Sequence, residues 1–336
     1  MRKPFVILLF ILTILLIVGF VLYRNNSLLT TGNTSSRDFK IKDATSIGRI
    51  FIADRNGTII NLTRKGERWF LGNGFQADDA VVKNLIKTIT NIEVINFVPK
   101  KGIETVMKEI GTQGLKVEIY DKHEHKLKSY YVGSANQSGM QTFMVLDGAN
   151  IPYEVGIPGF DGSVRGSYWP LILDDFISRV MLEYPPNSIQ KVIMDYPRNK
   201  NQSFSLDIEK TGSYNVRPYY ETTSEAKSTV LKSEVEAFLT GFEKMWAAKV
   251  ITSDKLSTDT LISDIPFLNL TVIDTKRDTN KLIIYPVIVT DKDRQHVDLN
   301  NRPFSYFVAR NNGLFYSAQN SNLEKIFFGY SSFFKK

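Results

Sequence analysis

The chain has 336 residues, with 42 Lys and Arg against 35 Asp and Glu, a formal charge of +7, three histidines and no cysteine. Hydrophobic residues make up 43% and aromatics 12%, a composition that folds, and the length suits about two domains. The missing cysteine excludes disulfides, thiolate metal sites, a catalytic thiol and a lipid-anchored cysteine, and so few histidines leave little room for histidine-based catalysis.

Arg2 and Lys3 precede an uncharged run, Pro4 to Tyr23, which Arg24 closes. At ~1.5 Å per residue, ~20 helical residues cross a hydrocarbon core of ~30 Å. The exit Val21-Leu22-Tyr23-Arg24 lacks a small-x-small cleavage pattern, which favours an uncleaved transmembrane anchor over a cleaved signal. Flanking positive charge predicts a single-pass inner-membrane protein with a cytoplasmic N-terminus and a periplasmic bulk. Residues 25–40 read as a polar tether. Setting aside Arg2, Lys3 and Arg24 lowers the charge from +7 to +4 for the outer part. There the bases are interspersed with acids, so a solvated mixed-charge surface is expected and no nucleic-acid partner.

Beyond the tether one order of elements occurs twice. The first copy opens with a strand, Ile47–Ala53, and Asp54-Arg55-Asn56-Gly57 turns it into Thr58–Thr63. Asn-Gly between apolar runs is a strong hairpin signal. A turn at Lys65-Gly66 leads to Arg68–Leu71, which carries Trp69. A helix follows at about Ala77–Thr90, with Val81, Val82, Leu85, Ile86 and Ile89 as its apolar stripe and Asp78 and Asp79 at its positive end. Glu93–Val98 reads as a strand and Ile103–Ile110 as a second helix, ended by Gly111. Strands Leu115–Tyr120, Leu127–Val132, Thr142–Leu146 and Tyr153–Val155 complete the copy.

The second copy opens with Ile189–Tyr196 and Ser203–Ile208, and Gly212-Ser213-Tyr214-Asn215-Val216 replaces Gly66-Glu67-Arg68-Trp69-Phe70. A helix is predicted over Lys232–Ala247, with Val235, Phe238, Leu239, Phe242 and Trp246 on its apolar side. Leu268–Asp274 and Lys281–Val289 form a later hairpin, and Phe304–Ala309 and Leu314–Ser317 precede a short helix near Asn322–Phe328. The expected architecture is α+β: two similar modules of mostly antiparallel sheet with packed helices, after one transmembrane helix. The expected modules are residues 41–160 and 187–336, joined by a connector over 161–186.

No residue is assigned a catalytic, cofactor-binding or metal-binding role. His123 and His125 form an H-x-H that could hold a metal on one face of a strand, but the segment Asp121–His125 reads as an exposed hairpin turn. His296 sits in a polar turn. Asp174 and Asp175 are adjacent carboxylates, and adjacent side chains on a regular element point apart, which favours solvation or capping over acid–base work. No G-x-S-x-G elbow, P-loop or dinucleotide fingerprint occurs. The richest loop runs from Ile157 to Pro170. Its Phe160, Arg165, Tyr168 and Trp169 read either as a recognition surface or as packing at a junction. Tyr219 and Tyr220 read either as a carbohydrate or peptide platform or as packing beside the second copy's helix.

The run Ile50-Phe51-Ile52-Ala53-Asp54-Arg55-Asn56-Gly57, followed by Trp69, resembles the uncharacterised DUF4340 family. So do Leu115-Lys116-Val117-Glu118-Ile119-Tyr120, Tyr130-Tyr131-Val132-Gly133 and Ile157-Pro158-Gly159-Phe160. The likeness covers roughly residues 38–200 and is strongest to membrane-anchored members from Bacteroidota. Some family members sit beside ABC-transporter components, including those of gliding motility. The resemblance therefore implies an envelope accessory role with a protein partner, an ABC-transporter component being the candidate, and it carries no catalytic residue onto this chain. The leading expectation is a non-enzymatic envelope scaffold. The alternative is an envelope hydrolase or a glycan- or peptidoglycan-binding protein, for which Asp161, Asp174 and Asp175 should converge on a pocket near Arg165.

Overall fold

The computed structural model describes residues 37–168, 172–209, 211–226, 228–251, 265–287 and 297–335. The expected anchor and the tether up to residue 36 lie outside the described residues, as do Trp169 and His296. Among the described residues no helix is long and apolar enough to cross a membrane.

The first copy runs β1 (Ile47–Ala53), β2 (Ile59–Lys65), β3 (Arg68–Leu71), helix α1 (Asp79–Asn91), β4 (Glu93–Phe97), α2 (Ile103–Gln113), β5 (Leu115–Asp121), β6 (Lys126–Ala135), β7 (Thr142–Leu146) and β8 (Tyr153–Gly156). A short α3 (Leu173–Phe176) and β9 (Val180–Leu182) follow. The second copy runs β10 (Ile189–Asp195), β11 (Phe204–Ile208), β12 (Tyr214–Pro218), α4 (Lys232–Thr240), β13 (Met245–Trp246), β14 (Lys249–Ile251), β15 (Leu268–Asp274), β16 (Thr279–Pro286), β17 (Ser305–Arg310) and β18 (Phe315–Gln319), then α5 (Asn320–Leu323).

The two copies build two eight-stranded sheets of identical order, β3-β2-β1-β5-β6-β7-β8-β4 and β12-β11-β10-β15-β16-β17-β18-β14. The repeat extends to the backbone register. β1 slips against β5 between Ile47 and Arg49, and β10 slips against β15 between Ile189 and Lys191. Such a bulge adds a residue and coils the strand, so its recurrence at one position gives both sheets the same local bend. Across the next pairs, Tyr130 faces Leu146 where Leu282 faces Arg310, and Met144 faces Tyr153 where Val308 faces Tyr316. Leu146 and Arg310 are thus equivalent, as are Tyr153 and Tyr316.

One turn chemistry recurs as well. Asp54, Asp121 and Asp274 each accept two backbone amides with Oδ1, from the residues two and four ahead, and Gly57, Glu124 and Arg277 before the last of these have positive φ. The short carboxylate supplies the acceptor that closes the turn. Asp121 uses this device to build the His123–His125 hairpin.

The chain divides into two compact units, one from Met1–Asn61 with Asn84–Pro170 and the other from Leu62–Lys83 with Leu171–Lys336. In the first unit α2 packs Val106 and Ile110 against Val98 and Val145, with Tyr131 and Phe143 beside them. Gly133 lets that helix come close: a Cβ there would lie 2.8 Å from Ile110 Cγ1. In the second unit the core is aromatic. Phe204 lies 4.9 Å from Phe333 and 5.6 Å from Phe238 by ring centroids, and Phe267 lies 5.0 Å from Phe327.

The predicted helix over Lys232–Ala247 is corrected: α4 stops at Thr240, and Met245–Trp246 is a strand paired with β9. Gly241 caps α4, and a Cβ there would fall 2.8 Å from Ile326 Cγ2, so glycine permits a close approach at the helix end. Trp246 is consequently 41% exposed instead of lying on a buried helical face.

Candidate functional site

In the second unit the loop after β3 meets the segment around β9. Ala77 pairs with Ile177, the Asp78 amide donates to the Phe176 carbonyl and the Ser178 amide donates to the Gln76 carbonyl. Beside this seam opens a cleft of about 1020 Å³. Its other walls are the β15–β16 turn and the ends of β17 and β18.

The cleft has a polar floor. Tyr184, 6% exposed, accepts from Asn280 Nδ2 at 2.5 Å, and Asn280 Oδ1 accepts from Arg310 Nη2 at 3.1 Å. Arg310 Nε and the Tyr316 hydroxyl are buried close to each other, and neither meets a hydrogen-bond partner outside that pair. Burial pushes the Tyr316 hydroxyl above its ordinary pKa, with the nearby Arg310 guanidinium pulling the other way. Burial likewise raises Tyr184, opposed by the Asn280 amide. Orphaned buried donors are uncommon, because each forfeits its bond to water.

The acids around this floor are mostly engaged. Glu183 faces Lys244 at 3.3 Å and Arg68 at 3.8 Å, and Asp274 holds the two turn amides. Glu243 and Asp278 are exposed at the rim.

A smaller cavity of about 340 Å³ is lined by Asp78, Asp174, Asp175, Arg179 and Lys249. Asp78 caps α1, its Oδ1 accepting from Ala80 at 3.0 Å and Val81 at 3.3 Å, while Oδ2 faces Arg179 Nε at 3.6 Å. This gives the buried carboxylate a structural role. Asp174 is also buried, and Asp161 is exposed.

The residues singled out from the loop after Ile157 have different fates. Phe160 follows the turn at Gly159, whose φ is +77°, and is 54% exposed. Arg165 points inward and donates to the carbonyls of Val132, Gly133 and Gln113, and burial lowers its pKa. Tyr168 is wholly buried, its hydroxyl 3.0 Å from that of Tyr130, so it belongs to the core of the first unit. Tyr219 is 46% exposed and meets Tyr220 edge-to-face at 5.1 Å. The Tyr220 hydroxyl donates to Asp195 at 2.7 Å, which raises its pKa to about 12. His123 and His125 lie on the exposed turn, and among the described residues no group of three His, Cys, Asp or Glu side chains is placed to hold a metal.

Residues 69–263, more than half of the chain, match the domain of unknown function DUF4340. The chain belongs to the DUF4340 family. The match begins at Trp69 in β3 and extends past α4, so it starts later and ends later than the motifs quoted above indicate. No curated protein and no solved structure matches the chain. Two of the segments quoted above now have physical reasons: Gly133 admits α2, and Gly159 makes the tight turn before Phe160. Tyr184, Asn280, Arg310 and Tyr316 carried no local signal. An element-by-element comparison of the two copies would have exposed Arg310, because Leu146 fills its place in the first.

Proposed function

We propose that this DUF4340 protein is a non-enzymatic accessory module of the cell envelope that binds a partner through the cleft of its second unit. The cleft, with the buried Arg310 and Tyr316 side by side in its wall, is the observation that carries this reading. An apolar run at residues 4–23 would hold the module at the inner membrane with its bulk in the periplasm, and an envelope protein such as an ABC-transporter component is the proposed partner. The second sheet supplies an ordered frame on which such a site can sit.

The hydrolase alternative calls for Asp161, Asp174 and Asp175 near Arg165. Asp174 and Asp175 instead share a cavity with Asp78 and Arg179, and Arg165 is committed to three backbone carbonyls. Binding is therefore the better supported reading.

Affinity capture from gently solubilised membranes tests it. A stoichiometric envelope partner, lost when Arg310 is replaced by Leu, is expected. Isolation of the protein alone, or a partner retained unchanged by the variant, would count against the cleft. Intact mass of the extracted protein should retain residues 1–24, and a chain starting after Arg24 would remove the anchor from the account.

A further inference from the structure

Arg310 stands at the end of β17, half-buried, and its anchoring hydrogen bond goes to a neutral amide oxygen. The Tyr316 side chain, on β18, is 0% exposed, and its hydroxyl lies against the same cleft. A guanidinium N–H and a phenol O–H thus share one place, and the phenol O–H has no acceptor, since the guanidinium beside it can only donate. The equivalent positions in the first sheet carry Leu146 and Tyr153, so the cationic partner is particular to the second.

We propose that Arg310 and Tyr316 form a subsite for an oxyanion, a carboxylate or phosphate group on the ligand that enters the cleft. The proposal deepens the binding role given above and rests on it. A planar guanidinium meets such a group with parallel N–H donors, and the phenol adds a third. Partial burial strengthens those bonds by excluding water. The cleft lining mixes Glu243 and Asp278 with Arg68 and Lys276, so it offers no continuous positive surface for a polyanion, and one compact anionic group suits the site better than nucleic acid.

The test is calorimetric titration of the full-length, detergent-solubilised protein with sodium acetate and with inorganic phosphate, at constant ionic strength set by chloride. Saturable binding of one or both is expected. Tighter acetate binding assigns a carboxylate ligand, and tighter phosphate binding assigns a phosphorylated one; each supports the subsite. Arg310→Leu should weaken binding at least about tenfold, and Tyr316→Phe about three- to tenfold. The leucine already occupies the equivalent place in the first sheet, and the phenylalanine keeps the ring. Should Arg310→Leu fail to fold, Tyr316→Phe decides alone. No saturable binding beyond the chloride control, or affinity unchanged in the folded variants, overturns the proposal. Anion binding without a captured protein would spare the subsite and remove the partner, and a captured protein without anion binding would do the reverse.

Discussion

Two corners of the molecule occupy the same place in duplicate sheets and are finished differently. In the first sheet Tyr153 is packed edge-to-face by Phe39 at 6.1 Å and Phe97 at 5.8 Å, with Leu146 on the neighbouring strand. Lys128 there reaches back to Asp38, donating to its carbonyl at 2.6 Å and its carboxylate at 2.9 Å. In the second sheet the same three positions hold Tyr316, Arg310 and Asn280. Asn280 reaches to Tyr184, but the Arg310 Nε and the Tyr316 hydroxyl have no partner except each other beside a cleft of about 1020 Å³. A common register therefore does not impose a common purpose. One corner is closed with apolar rings and a paired charge, and the other keeps buried polar groups beside a cleft.

The largest effect should come from emptying the closed corner. Phe39 is 1% exposed and also meets Tyr130 edge-to-face at 6.0 Å, so Phe39→Ala should cost about 3–5 kcal/mol in urea unfolding. A loss below about 1 kcal/mol would show that this corner is not held by packing.

A pair of tyrosine substitutions should have unequal effects. Tyr130→Phe strands the buried Tyr168 hydroxyl and should destabilise by about 1–3 kcal/mol. Tyr316→Phe removes a hydroxyl whose O–H has no acceptor and whose one neighbour is Arg310, and should change the stability of the ligand-free protein by less than about 0.5 kcal/mol. Equal losses in the two variants would break the distinction between the corners.

Acid should separate the sheets more gently. Burial raises the Glu118 carboxyl, but hydrogen bonds from Tyr120, Lys126 and Lys116 outweigh it and bring the pKa down to about 2. Thr271 holds the equivalent position in the second sheet. A depressed folded pKa gives stability that is present above the unfolded value, about 4.5, and is lost as pH falls toward about 2. Glu118→Gln should abolish this slope, worth on the order of 1 kcal/mol after solvent screening. An unchanged acid profile in the variant would remove Glu118 from the account.

Much of the fold was legible because its signals are local. Asn56-Gly57 announced the first hairpin, and the stripe of Val82, Leu85 and Ile89 marked α1, where all three are buried. The end of α4 was not legible, since Phe242 and Trp246 continue an apolar helical spacing past Gly241. What the spacing could not show is that Gly241 sits against Ile326, far along the chain. The candidate site was harder still. Asn280 and Tyr184 are 96 residues apart in sequence, and Arg310 follows an alternating strand that gives no hint of its buried neighbour Tyr316. A hydroxyl without an acceptor is a property of the folded surroundings, and no motif announces it.

The most direct test of the central claim watches the Arg310 Nε–H resonance of the isotope-labelled, full-length protein by NMR during acetate and phosphate titrations at constant ionic strength. The account predicts a saturable shift of that resonance, weakened in Tyr316→Phe, while the Arg165 resonance, whose guanidinium donates to backbone carbonyls, stays put. An Arg310 resonance unmoved by either anion would contradict it.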